Sequence, residues 1–134
     1  MSQTIERQVY ERARAIIADP NKWTVLTRAR TGTRHRGEPC DALSPKAHSF
    51  CAIGALQRSA FEVTGSLDKT EPILCRIEQQ LSDLAGMPLS QVNDWHGREA
   101  VLALFDKALG RSNMSPGDEA MKVLTNAINR PALA

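Results

Sequence analysis

The chain has 134 residues, an apolar fraction of 42%, a charged fraction of 24% and a formal net charge of +2, values typical of one nearly neutral globular domain. No apolar run approaches the roughly 18 residues that a membrane-spanning helix needs. The polar N-terminus and the three cysteines, which form no C-x-x-C pair, predict a soluble cytoplasmic protein with reduced thiols rather than a disulfide framework.

The chain begins with an amphipathic helix over residues 4–18, in which apolar residues recur at intervals of four and three. Pro20 ends this helix, because proline disfavours the helical conformation in the residue before it. Trp23 then opens a stretch with a period of two and β-favouring residues, which predicts a hairpin of residues 23–30 paired with residues 36–41. A lone hairpin is only marginally stable in water, so we expect it to lie on the helices with Trp23 as its anchor.

Four more helices follow, predicted at about residues 49–63, 71–85, 97–109 and 115–130. Ser49 is the expected N-cap of the first of these, and Pro72 falls in the first turn of the second, where a missing N–H is harmless. Asn93 or Asp94 is expected to cap the helix at 97–109, with Trp95 packing across its start. The sequence thus predicts one mainly helical domain over residues 1–134, with about five helices and one short hairpin.

The apolar stripe of each helix is expected to face the core. In the helix at 4–18 the stripe is Ile5, Val9, Ala13, Ile16 and Ile17. In the helix at 71–85 it is Ile73, Leu74, Ile77, Leu81 and Leu84. In the helix at 115–130 it is Ala120, Val123, Leu124, Ala127 and Ile128.

Positive charge is concentrated around the predicted hairpin. Residues 21–50 contain six Lys or Arg and two Asp or Glu, a local charge of +4, which leaves −2 for the rest of the chain. The residues expected to bind a partner are Arg28, Arg30, Arg34 and Arg36. Such a basic feature suits an acidic protein surface or a phosphate backbone, although no interleaved aromatic residues form a stacking platform for bases.

Cys51 is the residue with the most obvious chemical potential. It lies near a helix start, where the helix dipole stabilises a thiolate, and His96 with Asn93 or Asp94 could complete a Cys-His-Asn/Asp set. The alternative is structural: Cys51 belongs to a run of small residues around Gly54, which would let a second backbone approach the helix closely. We favour the structural interpretation, with Cys51, His96 and Asp94 as weak catalytic candidates.

A metal site is the third chemistry to weigh. Cys40, His48, Cys51 and His96 can be drawn as a zinc set, in which only Cys40-x7-His48-x2-Cys51 is local. Structural zinc sites usually show two close pairs of ligands, and the second pair is missing here. We therefore expect no metal and no other cofactor.

Three pieces of sequence together resemble one known family. They are Trp23 opening a polar, glycine-containing hairpin, "FCAIGAL" at 50–56, and "VNDW" followed by "REAVLALFDKAL" at 98–109. The chain is similar over about residues 5–110 to an uncharacterised bacterial and phage family, a domain of unknown function. The resemblance implies a small helical fold with a hairpin, and it leaves the helix predicted at 115–130 as an extra. It implies no activity, because none is known for the family.

Three functional hypotheses from different classes remain. The leading one is a small non-enzymatic interaction or regulatory module, of the kind that phages and bacterial mobile elements encode, with an acidic protein surface as its partner. The second is a nucleic-acid-associated protein that uses the hairpin arginines. The third is a cysteine-dependent hydrolase or transferase.

Overall fold

The computed structural model describes residues 4–110 and consists mainly of helices with a small sheet. Its helices are α1 (Ile5–Ala18), α2 (Ala52–Thr64), α3 (Leu67–Ala85), the single turn α4 (Leu89–Gln91) and α5 (Arg98–Leu109). Its strands are β1 (Ala29–Arg30), β2 (Pro39–Cys40) and β3 (Ser49–Phe50). The prediction of a mainly helical fold is confirmed, whereas the helix predicted at 115–130 lies outside the described residues. None of the helices in residues 4–110 is long and apolar enough to cross a membrane.

Helix α2 lies at the centre of the described domain and packs against both α1 and α3. Its first six residues, from Ala52 to Gln57, are all buried, so this helix has almost no solvent-facing side in its first two turns. Small side chains make this arrangement feasible, because they allow neighbouring elements to approach closely. The largest fully buried apolar side chains around α2 are Phe105, Ile17, Leu56, Leu74, Ile77, Leu81, Leu89 and Leu104.

Two helices begin at residues other than the predicted ones. Helix α3 begins at Leu67, four residues early, because the Ser66 hydroxyl accepts a hydrogen bond from the Lys69 backbone N–H (3.2 Å). Pro72 therefore lies inside the helix, where it removes one backbone hydrogen bond. Ser49 is not the cap of α2, since it belongs to β3; Cys51 holds the N-cap position.

The prediction that Asn93 or Asp94 caps the following helix is wrong. Gly97 precedes α5, and no side chain caps that helix. Asn93 and Asp94 lie instead in a wide π-helical turn, Val92–His96, and both bond to parts of the chain distant in sequence. Trp95, expected to pack across the helix start, is largely exposed.

The sheet is shorter and more complex than the predicted hairpin. Its order is β2-β1-β3, with both neighbours antiparallel to β1: Ala29 lies opposite Cys40 on one side and opposite Phe50 on the other. Residues 24–28 form no strand, and Trp23 makes only an isolated bridge to Phe50. The Thr24 N–H still donates to the Phe50 carbonyl in β3 (3.0 Å), but the Thr24 carbonyl and the Leu26 N–H bond to side chains of the π-helical turn, so the period of two is not realised as a regular strand.

Candidate functional site

Asn93 is the centre of a buried polar cluster at the start of α2. Its Oδ1 accepts hydrogen bonds from the Trp23 indole Nε1 (2.8 Å) and from the Ala52 backbone N–H (2.9 Å). Its Nδ2 donates to the Thr24 carbonyl (3.1 Å) and to Asp94 Oδ1 (2.9 Å). A primary amide can donate two hydrogen bonds and accept two, so Asn93 is fully satisfied. The residue therefore stabilises the N-terminus of α2, not the helix that follows it in sequence.

Asp94 extends this cluster to the surface. Besides the bond from Asn93, its Oδ1 accepts a hydrogen bond from the Leu26 backbone N–H (3.0 Å). Leu26 has φ +68°, the left-handed conformation that residues other than glycine rarely adopt. Asp94 thus holds Leu26 in an unfavourable backbone conformation.

Cys51 lies at the inner side of the same cluster and is buried. Its Sγ accepts a hydrogen bond from the Gly54 backbone N–H (3.4 Å), and its own N–H donates to the Arg28 carbonyl (3.1 Å). Burial raises the pKa of the Cys51 thiol; hydrogen bonds from Gly54 and Ile53 lower it only in part, and the nearby Asp94 carboxylate raises it further. The environment therefore favours the neutral thiol, which is the unreactive form.

The contact made at Gly54 explains why the residues at the start of α2 are small. A Cβ added to Gly54 would overlap the carbonyl oxygen of Arg28, so the loop backbone passes directly over α2 at this position. The structure thus shows the close backbone approach that the small residues predict. A glycine inside a helix costs about 1 kcal/mol relative to alanine, and the contact with the loop requires it.

The structure does not join His96 to Cys51. Cys51 Sγ has its hydrogen bond from Gly54, and within residues 4–110 none joins it to His96. Across the same residues, His, Cys, Asp and Glu side chains form no group of three or more that could hold a metal ion. Cys40 is the last residue of β2, and His48 lies in the loop between β2 and β3.

The four hairpin arginines divide into two pairs. Arg28 Nη1 donates to Gln57 Oε1 (2.9 Å), and Arg30 Nε donates to the Thr24 hydroxyl (3.0 Å), so both guanidinium groups hold the loop in place. Arg34 and Arg36 are exposed, and their side chains make no hydrogen bond or ion pair within residues 4–110. The four were predicted as equivalent partner-binding residues; only the second pair has its guanidinium groups uncommitted.

His35 connects this second pair to the Asn93 cluster. Its ring packs edge-on against Trp23 (5.4 Å between centroids), and its Nδ1 lies 3.2 Å from the Thr24 hydroxyl. Burial lowers the pKa of His35, and the positive charges of Arg34 and Arg30 lower it further. The ring therefore takes up a proton at a lower pH than an ordinary histidine does.

Two large apolar side chains project from this region into solvent. Leu26 is 77% exposed and Trp95 is 59% exposed, the two highest values among bulky apolar residues of this loop and turn. Asp94 links them, because its side chain accepts the hydrogen bond from the Leu26 backbone N–H and Trp95 is the next residue in the chain. Sequence reasoning missed both residues, because neither a left-handed leucine nor an exposed tryptophan has a local sequence signal.

No curated protein and no solved structure matches the chain. The model of a family of unknown function, DUF6197, matches residues 1–111, which include the Asn93 cluster and both exposed apolar residues. The chain therefore belongs to the DUF6197 family.

Proposed function

We propose that the protein is a non-enzymatic interaction module that binds an acidic partner protein. The binding surface consists of Leu26, Trp95, Arg34 and Arg36 and is called here the Leu26–Trp95 surface. We further propose that it acts in the cytoplasm, as a product of a phage or bacterial mobile element. The three free cysteines of the described chain are compatible with a reducing compartment.

The four residues belong to one connected part of the structure. Asp94 joins the backbone of Leu26 to the turn that carries Trp95. Two residues before Leu26, Thr24 contacts His35, which Arg34 and Arg36 flank in sequence. The segments that carry the four residues are thus joined to one another by the Leu26–Asp94 and Thr24–His35 hydrogen bonds.

The conformation of Leu26 is the observation that carries the proposal. The left-handed region costs a residue other than glycine about 1–2 kcal/mol, and an exposed leucine recovers none of this by burial. Glycine would satisfy the same backbone without strain. Strained residues of this kind concentrate at functional sites, where the surrounding structure holds them for a purpose other than stability.

The chemistry of the surface favours a protein partner. Tryptophan and arginine are the residues most enriched at the energetic centres of protein interfaces, and a leucine beside them adds apolar contact area. Arginine can hold a carboxylate with two parallel hydrogen bonds. A cysteine-dependent reaction has less support, because the Cys51 thiol is buried and has a raised pKa.

The test is affinity capture on immobilised protein from the host, with matched variants. The double variant Leu26→Gly/Trp95→Ala removes both apolar side chains without straining the backbone. Leu67→Ala, which removes an exposed leucine (63%) from α3, is the control. We expect a protein that is retained by the wild type and the control and is lost with the double variant.

Two outcomes would contradict the proposal. Retention of the same protein by all three baits would show that the Leu26–Trp95 surface takes no part in binding. Loss of the retained material after nuclease treatment, with an affinity that falls steeply as salt rises, would support nucleic-acid binding by the arginines instead.

A further inference from the structure

A tight turn of residues 33–36 carries Arg34 next to His35. A backbone hydrogen bond of 3.0 Å joins the ends of the turn. Two distant segments hold it at Arg34, whose N–H donates to the Asn21 carbonyl (2.8 Å) and whose carbonyl accepts from the Ser49 hydroxyl (2.8 Å). Ser49 is fully buried, so the rest of the domain fixes the position of this turn.

Arg34 is a residue that the turn itself does not favour. Its φ is +53°, a left-handed conformation for which turns normally use glycine or asparagine. Its side chain is exposed and makes no hydrogen bond or ion pair with the residues that the structure describes. Arginine here therefore strains the turn without a stabilising contact in return, which is typical of residues kept for binding.

Hydrogen-bond accounting at Thr24 assigns the proton on the His35 ring. Thr24 is fully buried, and its hydroxyl accepts a hydrogen bond from Arg30 Nε (3.0 Å). The hydroxyl must also donate its own proton, and its partner for this among residues 4–110 is His35 Nδ1, at 3.2 Å. Nδ1 is thus the acceptor, and the ring proton is on Nε2. The ring therefore presents an N–H donor on the side opposite Thr24.

The charged groups that act on this ring are both positive. After burial, the charges of Arg34, in the same turn, and of Arg30, in β1, lower the pKa of His35. Trp23 and Thr24, which also contact the ring, are uncharged. Arg30 is committed to the Thr24 hydroxyl and the Val25 carbonyl, whereas the Arg34 guanidinium has its donors available. An anion beside the ring would offset this positive charge.

We infer that His35 Nε2–H and the Arg34 guanidinium together bind one carboxylate of the acidic partner. The inference rests on the proposed function and names the chemical group that the Leu26–Trp95 surface recognises. Two adjacent donor groups match the two oxygens of a carboxylate, and a hydrogen bond between charged groups is stronger than a neutral one. His35 is thereby a further binding residue of the surface.

NMR of the full-length chain, titrated with a hexaglutamate peptide at fixed ionic strength, tests the inference. In the free protein at pH 8 we expect the proton of the His35 ring on Nε2. Hexaglutamate should shift the His35 Nε2–H and Arg34 Nε–H resonances, and a hexaglutamine peptide should leave them in place. A ring proton on Nδ1, or an equal response to the two peptides, would overturn the inference.

Matched variants separate the turn from the general charge of the protein. Arg34→Gly removes the guanidinium at a backbone conformation that glycine adopts without strain, so the fold should be kept. It should weaken hexaglutamate binding about threefold, the effect of one exposed ion pair. Lys69→Gln, which removes an exposed charge from α3, should leave the affinity unchanged. Equal weakening by the two variants would overturn the inference.

The pH dependence of binding reports on His35. A carboxylate at Nε2 favours the charged ring, so hexaglutamate should bind more tightly at pH 6 than at pH 8, and His35→Gln should remove this difference. The same affinity at both pH values would overturn the inference, as would displacement of the peptide by inorganic phosphate at equal concentration. If hexaglutamate shifts neither resonance, the inference fails, and the proposed function stands where affinity capture still depends on Leu26 and Trp95.

Discussion

The Asn93 cluster and the Leu26–Trp95 surface are neighbours, yet their residues are used in opposite ways. In the cluster, Asn93 is fully buried and makes all four of its hydrogen bonds. On the surface, Leu26 and Trp95 are exposed, and the guanidinium groups of Arg34 and Arg36 make no hydrogen bond or ion pair with the part of the chain that the structure describes. Asp94 joins the two regions through its bonds to Asn93 and Leu26.

This difference shows that a residue type suited to catalysis is not necessarily accessible to a substrate or partner. Asn93 and Cys51 could be written into a catalytic set, but both have structural roles. The Asn93 side chain joins the loop to α2, and the Cys51 thiol caps α2 while its backbone N–H donates to the Arg28 carbonyl of the loop. On the Leu26–Trp95 surface, by contrast, the exposed side chains have no nucleophilic or titrating group that a catalytic set would need. The comparison therefore separates variants that should damage the fold from variants that should change binding alone.

The largest effect is expected for Asn93→Ala. It leaves the Trp23 indole N–H, the Ala52 N–H and the Thr24 carbonyl without their partner, at roughly 1–3 kcal/mol for each buried group. We expect the free energy of unfolding, measured by urea denaturation, to fall by about 4 kcal/mol. Asn21→Ala, at an exposed asparagine, should change it little, and equal effects of the two variants would refute the role of Asn93.

Gly54→Ala should be the next most damaging change. The new Cβ overlaps the Arg28 carbonyl, so the loop must move away from α2, at a cost of about 3 kcal/mol in unfolding free energy. The same substitution at an unhindered helix position would instead stabilise the protein by about 1 kcal/mol. The sign of the measured change therefore decides between close packing and an ordinary helical glycine.

Cys51→Ala is expected to cost roughly 1 kcal/mol, for one small buried group and a weak cap. In the native protein at neutral pH, a thiol reagent should modify the exposed Cys75 rapidly and Cys51 slowly, because burial and the raised pKa both protect Cys51. Rapid, stoichiometric modification of Cys51 would instead identify it as an activated thiol and favour the cysteine-dependent reaction.

Leu26→Gly should have the opposite sign. Relief of the left-handed conformation gains about 1–2 kcal/mol, and the greater freedom of glycine in the unfolded chain costs about 1 kcal/mol, so we expect a net gain of roughly 0.5 kcal/mol. Leu67→Gly, at another exposed leucine but in ordinary helical conformation, should be destabilised. A loss of stability in Leu26→Gly would show that the leucine side chain itself supports the fold.

The smallest effect concerns pH. Because the folded protein lowers the pKa of His35, folding favours the neutral ring, and its contribution to stability is present above the ordinary value of 6.5 and lost as pH falls below it. His35→Gln should reduce the dependence of stability on pH between 7 and 5. An NMR titration that gives a His35 pKa above 6.5 would contradict this assignment.

The parts of the fold that the sequence predicts well are those with local signals. Helix α1 was predicted at 4–18 and lies at Ile5–Ala18, since Pro20 marks its end; α5 was predicted at 97–109 and lies at Arg98–Leu109. The start of α3 was wrong because Pro72 is a familiar first-turn residue and Ser66 gives an equally good cap earlier in the chain. A local signal predicts a helix end correctly only where no second signal of the same kind lies nearby.

The candidate site could not be predicted in the same way, because its bonds are long-range. Residues 24–28 have the alternation of a strand, but Asn93 and Asp94 bond to Thr24 and Leu26 and hold this stretch in an irregular conformation. The sequence did indicate Asn93 and Asp94 as polar residues with a structural role. It assigned that role to the nearest helix, since spacing along the chain carries no information on partners 70 residues away.

The distance along the chain between hydrogen-bonded residues also bears on the order in which parts of the protein fold. Trp23 and Asn93 are 70 residues apart, and Ala52 and Asn93 are 41 apart. Bringing such distant segments together costs chain entropy before the hydrogen bonds can form, whereas α1, α2 and α3 complete their backbone bonds among near neighbours. We therefore expect residues 23–26 to be the last part of the domain to become ordered during folding. The Leu26–Trp95 surface would then exist only in molecules that have completed the rest of the fold.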